Sequence, residues 1–120
     1  MARYVDGFVM PIPKKNLPVY LRMARKGAKI WREHGALEYY ECVGEDLTVK
    51  FGAGFRKQLK LKPNETVIFS WIVYKSRAHR DRVNAKVMKD PRMGDPEMIK
   101  AMPFDMKRMA YGGFDVLVSW

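Results

Sequence analysis

The stretch Thr66–Tyr74, with the sequence TVIFSWIVY, is the segment that decides the fold. β-Branched and aromatic residues dominate it, and this composition predicts a β-strand. Side chains alternate between the two faces of a strand. One face therefore carries Val67, Phe69, Trp71 and Val73, and the other carries Ile68, Ser70, Ile72 and Tyr74. A strand with one face in water should alternate apolar and polar residues. This strand is mainly apolar on both faces, so we expect both faces to be covered.

A strand, a helix and a second strand are expected on the N-terminal side of this stretch. The strands are Tyr4–Met10 and Ala36–Val43, both rich in residues that favour extended structure. Between them, Asn16 is a favourable N-cap for a helix that runs to about His34. Gly35 is favourable as the residue that stops this helix.

The remaining segments are less regular. Residues Leu47–Lys62 contain two glycines and are expected to form a loop that leads into an extended segment at the sheet edge. Ser76 is expected to cap a second helix that runs to about Lys89. A short third helix is expected over Asp95–Ala101, followed by a last strand over Arg108–Val118. The pair Gly112-Gly113 inside that strand indicates a bulge or the close approach of another group.

The resulting order is β-α-β-β-α-β, with one additional short helix. This order is typical of the ferredoxin-like, split βαβ arrangement, in which helices cover one face of an antiparallel sheet. We therefore predict a single α+β domain over residues 1–120. Two helices cover only one face, and apolar patches of this size are typical of interfaces. We expect a homodimer in which the uncovered sheet faces pack together.

The composition is that of a folded, water-soluble domain, with 48% apolar and 30% charged residues. The longest apolar run, Val67–Tyr74, is far shorter than the roughly 20 residues needed to cross a bilayer, so no membrane partner is expected. The first residues include Arg3 and Asp6 and lack the apolar core of a signal peptide. Cys42 is the only cysteine, which excludes an internal disulfide framework. These features predict a cytoplasmic protein.

The chain carries a large positive charge: 23 basic and 13 acidic residues give a formal net charge of +10. Such a charge attracts polyanions at low salt. Many of the cations, including Arg25 and Lys29, lie on the expected solvent face of the first helix. The chain lacks the basic-glycine-aromatic run of RNA-recognition modules, and a sheet buried in a dimer cannot stack bases. Nucleic acid is therefore not an expected partner, and binding of RNA through the basic helix face is kept as an alternative.

Several runs resemble the YbaA-like family of uncharacterised bacterial proteins. They are GALE (35–38), EC (41–42), FSWI (69–72), DPRM (90–93), MPFD (102–105), KRM (107–109) and GGF (112–114). The resemblance spans nearly the whole chain. It implies the fold of the dimeric α+β barrel superfamily, which includes cofactor-free monooxygenases, and it implies no established activity and no catalytic residue.

The second helix holds the first candidate site residues. His79 and Val83 share a stripe that should face the sheet, where a histidine is a candidate catalytic base or ligand contact. The alternative is a first-turn histidine bonded to the backbone. Arg80 and Asn84 are four residues apart on one helix face, so together they are candidates for binding an anionic or amide-bearing ligand.

The loop before the last strand holds further candidates. Asp105 is a second candidate catalytic residue, because loops on a rigid scaffold often carry function. Trp71, Tyr74 and Phe104, together with the methionines that cluster near residues 93–109, are expected to line an apolar cavity under the helices. Core filling by these methionines is the alternative. Arg108 is a further candidate ligand contact.

Carboxylates inside predicted strands must pair, face solvent or face a pocket. Four acids lie in such positions: Asp6, Glu38, Glu41 and Asp115. Pairing of Asp6 with Arg108 is expected if the first and last strands are neighbours. The alternative is that one of the four acids faces a pocket.

The two histidines and one cysteine show no close ligand spacing, so neither a metal nor another cofactor is expected. Three functions remain open. The first is a small-molecule-binding protein or an oxygenase-like enzyme, by analogy with the superfamily. The second is a non-catalytic binding or regulatory module, and the third is a polyanion-binding protein.

Overall fold

A computed structural model of the chain describes residues 3–94, 96 and 100–120. Four strands form one antiparallel sheet in the order β2-β3-β1-β4: β1 Tyr4–Pro13, β2 Glu38–Val43, β3 Glu65–Tyr74 and β4 Ala110–Asp115. The helices are α1 Leu17–Glu33, the short α2 Phe55–Gln58 and α3 Arg77–Lys89, and 3-10 turns occupy Lys14–Asn16 and Met106–Arg108. The predicted ferredoxin-like α+β order, βαββαβ, is confirmed.

The pairing of strands decides which side chains share a face. β1 pairs with β3 from Tyr4 opposite Tyr74 to Pro13 opposite Glu65. On the far side of β3, Glu41 of β2 lies opposite Ser70. On the far side of β1, Gly113 of β4 lies opposite Asp6. Residues opposite each other point to the same face, so Asp6, Ser70 and Glu41 all lie on one side of the sheet.

The two long helices cover this side, which we call the helix face. Ile68, Ile72 and Tyr74 of β3 are buried there in two apolar clusters with residues of the helices. α1 contributes Tyr20, Ala24 and Ile30 to these clusters, and α3 contributes Val83 and Val87. The core therefore lies between the sheet and α1 and α3.

Local signals explain where the helices begin and end. Gly35 follows α1 with φ +112°, a left-handed conformation that glycine adopts without strain. The Ser76 side chain accepts a hydrogen bond from the His79 N–H, so the predicted cap of α3 is confirmed. Asn16 precedes α1, but its side chain makes no cap; its Nδ2 donates to the Pro103 carbonyl oxygen at 2.8 Å. Asn16 thus ties the start of α1 to the 102–105 loop.

Three expectations need correction. β1 extends through Pro11 and Pro13, because β4 pairs with β1 only as far as Val9 and leaves a free edge that tolerates proline. Within residues 47–62 the structure forms α2 and turns, with no extended edge strand. β4 ends at Asp115 instead of Val118. The expected third helix, 95–101, falls largely on residues outside those described.

One of the two predicted explanations for the Gly112-Gly113 pair is confirmed and the other is wrong. The register of β1 and β4 is uninterrupted, so the expectation of a bulge is wrong. The close approach is present, because a Cβ atom on Gly113 would collide with the hydroxyl and ring of Tyr4. Glycine is therefore required for the Tyr4 ring to lie across β4.

The other side of the sheet, which we call the open face, faces away from α1 and α3. Aromatic side chains dominate it: Phe69 is 46% exposed, Phe114 is 59% exposed and Tyr40 is 44% exposed. The Tyr40 and Trp71 rings stack with centroids 4.9 Å apart, and Phe69 meets Trp71 edge-on at 5.4 Å. Within the single chain this aromatic surface is exposed to solvent.

Candidate functional site

A cavity of about 560 Å³ lies on the helix face, between the sheet, α1, α3 and the 102–113 segment. This volume is in the range of small-molecule sites, roughly 300–1,000 Å³. Its walls are mainly apolar, and the lining residues that the structure describes include seven methionines: Met10, Met23, Met88, Met93, Met102, Met106 and Met109. Methionine is flexible and polarisable, so walls of this kind adapt to the shape of a ligand.

One polar cluster on the wall is centred on Asp6 of β1. The Arg80 Nη1 donates to Asp6 Oδ1 at 2.6 Å, and Asn84 Nδ2 donates to Asp6 Oδ2 at 3.2 Å. Asp6 is only 5% exposed, and an unpaired carboxylate at that depth would be costly. The guanidinium of Arg80, which also lies 4.9 Å from the centre of the Tyr4 ring, neutralises it. Hydrogen bonds to Asp81 and to Asp6 raise the pKa of Arg80, so it remains charged.

Asn84 extends this cluster to both helices. Its Oδ1 accepts from Trp31 Nε1 of α1 at 3.1 Å and from the Tyr74 hydroxyl of β3 at 3.0 Å. Burial, followed by the charge of Asp6, raises the pKa of Tyr74, so its hydroxyl stays protonated and donates. One side chain thereby joins β1, β3, α1 and α3, and its amide orientation is fixed by the donors and acceptor around it.

A second polar cluster is centred on Glu41 of β2. The Tyr20 hydroxyl donates to Glu41 Oε1 at 2.8 Å and Oε2 at 3.0 Å, and the Tyr39 hydroxyl donates to Oε2 at 2.9 Å. Burial is the main cause that raises the pKa of both tyrosines, and the nearby charge of Glu41 adds to it. Among the described residues, no Lys, Arg or His nitrogen lies within 4 Å of the Glu41 carboxylate.

Three of the candidate ligand contacts line this cavity, together with Met93, Met102, Met106 and Met109 of the expected methionine cluster. Arg80 and Asn84 face the same way, as their four-residue spacing indicates, and they converge on Asp6. Phe104 is the third, and its ring meets the Tyr20 ring edge-on with centroids 5.9 Å apart. The structure therefore brings together part of the expected set.

The two candidate catalytic residues lie outside the cavity lining. His79 Nδ1 accepts from the Lys75 N–H at 2.9 Å, and its ring meets Tyr74 edge-on. Burial, then the charge of Lys75, lowers the pKa of His79 and keeps the ring neutral. The Asp105 carboxylate is exposed and accepts from the Lys107 N–H at 2.9 Å, where it caps a 3-10 turn.

Trp71 and Arg108 also lie away from the cavity. Trp71 is on the open face. Arg108 binds the Glu65 carboxylate at 2.6 and 2.9 Å and the carbonyl oxygen of Lys60 at 3.2 Å. The expected pair of Asp6 with Arg108 is wrong, because Arg108 precedes β4 and lies beyond the last β1–β4 pair, whereas Asp6 lies opposite Gly113.

The sequence analysis missed three aromatic site residues that donate hydrogen bonds: Tyr20, Tyr39 and Trp31. A signal was present for two of them. Tyr39 and Glu41 are two residues apart in a strand and so must share a face. A buried tyrosine usually finds a hydrogen-bond partner for its hydroxyl. That rule should have drawn attention to Tyr20, because Leu17, Tyr20, Ala24 and Ala28 follow the three- and four-residue spacing of a buried helix stripe.

Comparison with known proteins identifies close relatives. The family described as "Protein of unknown function (DUF1428)" matches residues 3–106. The "Uncharacterized protein YbaA" of Escherichia coli strain K12 is 45% identical over 117 residues, covering 98% of both chains, and its Shigella flexneri counterpart matches equally. These findings confirm the resemblance to the YbaA-like family, which has no established activity.

A solved structure supports the fold independently. It is a dimeric ferredoxin-like protein from an uncultured marine organism, with a TM-score of 0.68, 10% sequence identity and full coverage of both chains. At that identity the likeness shows the fold alone. In the described part of the chain, no helix is both long and apolar enough to span a membrane, and no cluster of three or more potential metal ligands is found.

Proposed function

This chain belongs to the DUF1428 family of proteins of unknown function, and we propose that it binds a small, predominantly apolar molecule in the cavity between the sheet and its helices. The cavity itself, about 560 Å³ with methionine and aromatic walls, is the observation that supports this proposal. Small-molecule sites are typically clefts of this size with mainly apolar walls and a few polar groups, and the space on the helix face has this form.

The chemistry of the walls fits an apolar body with a few polar contacts. Phe104 and Trp31 offer flat apolar surfaces, and Ser70 of β3 also lines the cavity. The charge of Asp6 is already balanced by Arg80, so we assign Arg80 and Asn84 a role in shaping the wall. His79, Asp105, Trp71 and Arg108 make no contact with the ligand in this proposal.

The proposal is tested with N-phenyl-1-naphthylamine, a neutral apolar dye whose fluorescence rises when it leaves water. We expect saturable binding to the natural chain. Ala24→Phe fills the cavity from α1, because Ala24 is buried and lines it. Ser70→Leu fills the cavity from the sheet floor. Each variant should weaken binding at least about tenfold.

Ala85→Phe is the matched control for Ala24→Phe, because Ala85 lies on the exposed side of α3 and does not line the cavity. Circular dichroism confirms that each variant is folded. Absence of dye binding by the natural chain overturns the proposal. Unchanged binding by both filled variants also overturns it, because the dye would then sit elsewhere.

We also propose that two chains associate through the open face and that the protein acts in the cytoplasm. The aromatic surface formed by exposed Tyr40, Phe69 and Phe114 and half-buried Trp71 supports the association, since soluble monomers rarely expose a continuous apolar patch of that kind. The dimeric state of the ferredoxin-like neighbour is consistent with it. Sedimentation should give about twice the 14.0 kDa of one chain at micromolar concentration.

A further inference from the structure

Two carboxylates among the described residues of the cavity wall have different partners, and the difference points to the kind of ligand. Asp6 is bound by a guanidinium, whereas the partners of Glu41 are two tyrosine hydroxyls. We propose that Glu41 receives a positively charged nitrogen, so that the ligand is an amine or ammonium compound with an apolar body. This inference rests on the proposed function, because it names the ligand class of the same cavity.

The hydrogen bonds to Glu41 position the carboxylate without neutralising it. A hydroxyl donor is neutral, so the negative charge remains at a wall that is otherwise mainly apolar. A carboxylate offers about four lone-pair sites, and the two tyrosines leave some of them free. Glu41 is partly buried at this apolar wall, where a charge is less well solvated than in open water, and a cationic ligand supplies a partner for it. The raised pKa values of Tyr20 and Tyr39 keep both hydroxyls protonated as donors.

Aromatic rings around Glu41 favour the same ligand class. The Trp31 and Tyr39 rings lie 6.2 Å apart between centroids, and Tyr20 packs against Phe104. The faces of aromatic rings attract cations, and tryptophan and tyrosine do so more strongly than phenylalanine. Trp31, Tyr20, Tyr39 and Phe104 all line the cavity. A carboxylate among aromatic rings is a favourable environment for an ammonium group.

The overall charge of the protein makes the inference easy to test. At +10 the chain repels cations at long range, so a preference for an ammonium ligand must come from the site. Three compounds carry different heads on one ring system: 1-naphthylmethylammonium, 1-naphthalenemethanol and 1-naphthoate. Titration calorimetry and competition with the neutral dye should rank the ammonium at least about tenfold above the alcohol, with the carboxylate weakest.

Two variants assign the preference to Glu41. Glu41→Gln should remove the advantage of the ammonium over the alcohol while leaving the alcohol bound. Glu38→Gln is the matched control, because Glu38 lies in the same strand, accepts from a neighbouring tyrosine at 2.8 Å and changes the net charge equally. Glu38 lies opposite Val73 on the open face, so this variant should keep the preference.

The outcomes separate this inference from the proposed function. If the natural chain binds the alcohol or the carboxylate as tightly as the ammonium, the ligand-class inference is overturned and the cavity proposal stands. The same conclusion follows if the Glu41→Gln and Glu38→Gln variants prefer the ammonium compound over the alcohol to the same degree. If the dye does not bind the natural chain, the cavity proposal is overturned, and the ligand-class inference that rests on it is overturned as well.

Discussion

The two faces of the sheet are both apolar, yet they differ in what covers them and in how they hold polar groups. On the helix face, Ile68 is 3% exposed and Ser70 is 6% exposed, beneath the chain's own helices. On the open face, Phe69 lies between these two residues in sequence and is 46% exposed. A single strand thus serves an internal core and an external surface. A strand sequence that is apolar on both faces shows that each face needs a cover. It does not show whether the same chain or another chain provides that cover.

A charge placed on the open face should have the largest effect on the molecule. Phe69→Lys should dissociate the proposed dimer, because each subunit would bury an unpaired ammonium at the centre of the interface. At about 2 kcal/mol for each of two equivalent sites, the dissociation constant should rise about a thousandfold. Sedimentation measures the change directly.

Leu21→Lys is the control for this variant. Leu21 is 47% exposed, nearly the same as Phe69, but it lies on α1 on the other side of the sheet. It should leave the mass unchanged. If Phe69→Lys also leaves a dimer intact, the open face is not the interface, and the aromatic surface needs another explanation.

Sequence reasoning predicted the elements that depend on local signals. The strand Thr66–Tyr74, the Ser76 cap and the stop at Gly35 each rest on a few adjacent residues whose chemistry is independent of the rest of the chain. The apolar character of both faces also followed from alternation within β3. These features were predictable because side-chain direction in a strand or helix is fixed by the backbone.

The polar clusters were less predictable, because each joins residues far apart in sequence. Arg80 and Asp6 are separated by 74 positions, and Tyr20 and Glu41 by 21. The spacing of Arg80 and Asn84 showed that they act together but not which group they bind. Trp71 is a large aromatic residue of the kind that lines cavities, yet the strand register places it on the open face. Partner choice depends on register and helix placement, which no short motif encodes.

Two ion pairs, one on each face of the sheet, should differ in what they contribute to stability. Arg80→Met leaves Asp6 buried without its cation and should lower the free energy of unfolding by about 3 kcal/mol. Arg3→Met removes the Arg3–Glu38 pair on the side of the open face, where the side chains are 57% and 39% exposed. The loss there should be at most about 1 kcal/mol.

Urea unfolding of the two variants measures both losses. Because the second pair lies on the side of the proposed interface, the measurements should be made at a concentration where the chain is fully dimeric or fully monomeric. Equal losses would contradict the difference in burial. A loss below about 1 kcal/mol for Arg80→Met would show that the Asp6 cluster is open to water.

The smallest expected effect comes from two adjacent tyrosines of β2 that point to opposite faces. Tyr39 donates to Glu41 at 2.9 Å on the helix face, and Tyr40 donates to Glu38 at 2.8 Å on the open face. Tyr39→Phe should lower the free energy of unfolding by about 1.5 kcal/mol, because it removes a donor from a carboxylate at the cavity wall. Where the chain is fully monomeric, Tyr40→Phe should change it much less than Tyr39→Phe does, because water replaces the lost hydroxyl at an exposed site. Urea unfolding of the two single variants makes the comparison, and equal changes would mean that water reaches Glu41 as freely as Glu38. In that case the charge of Glu41 would already be solvated, and the reason for expecting a cationic ligand would be removed.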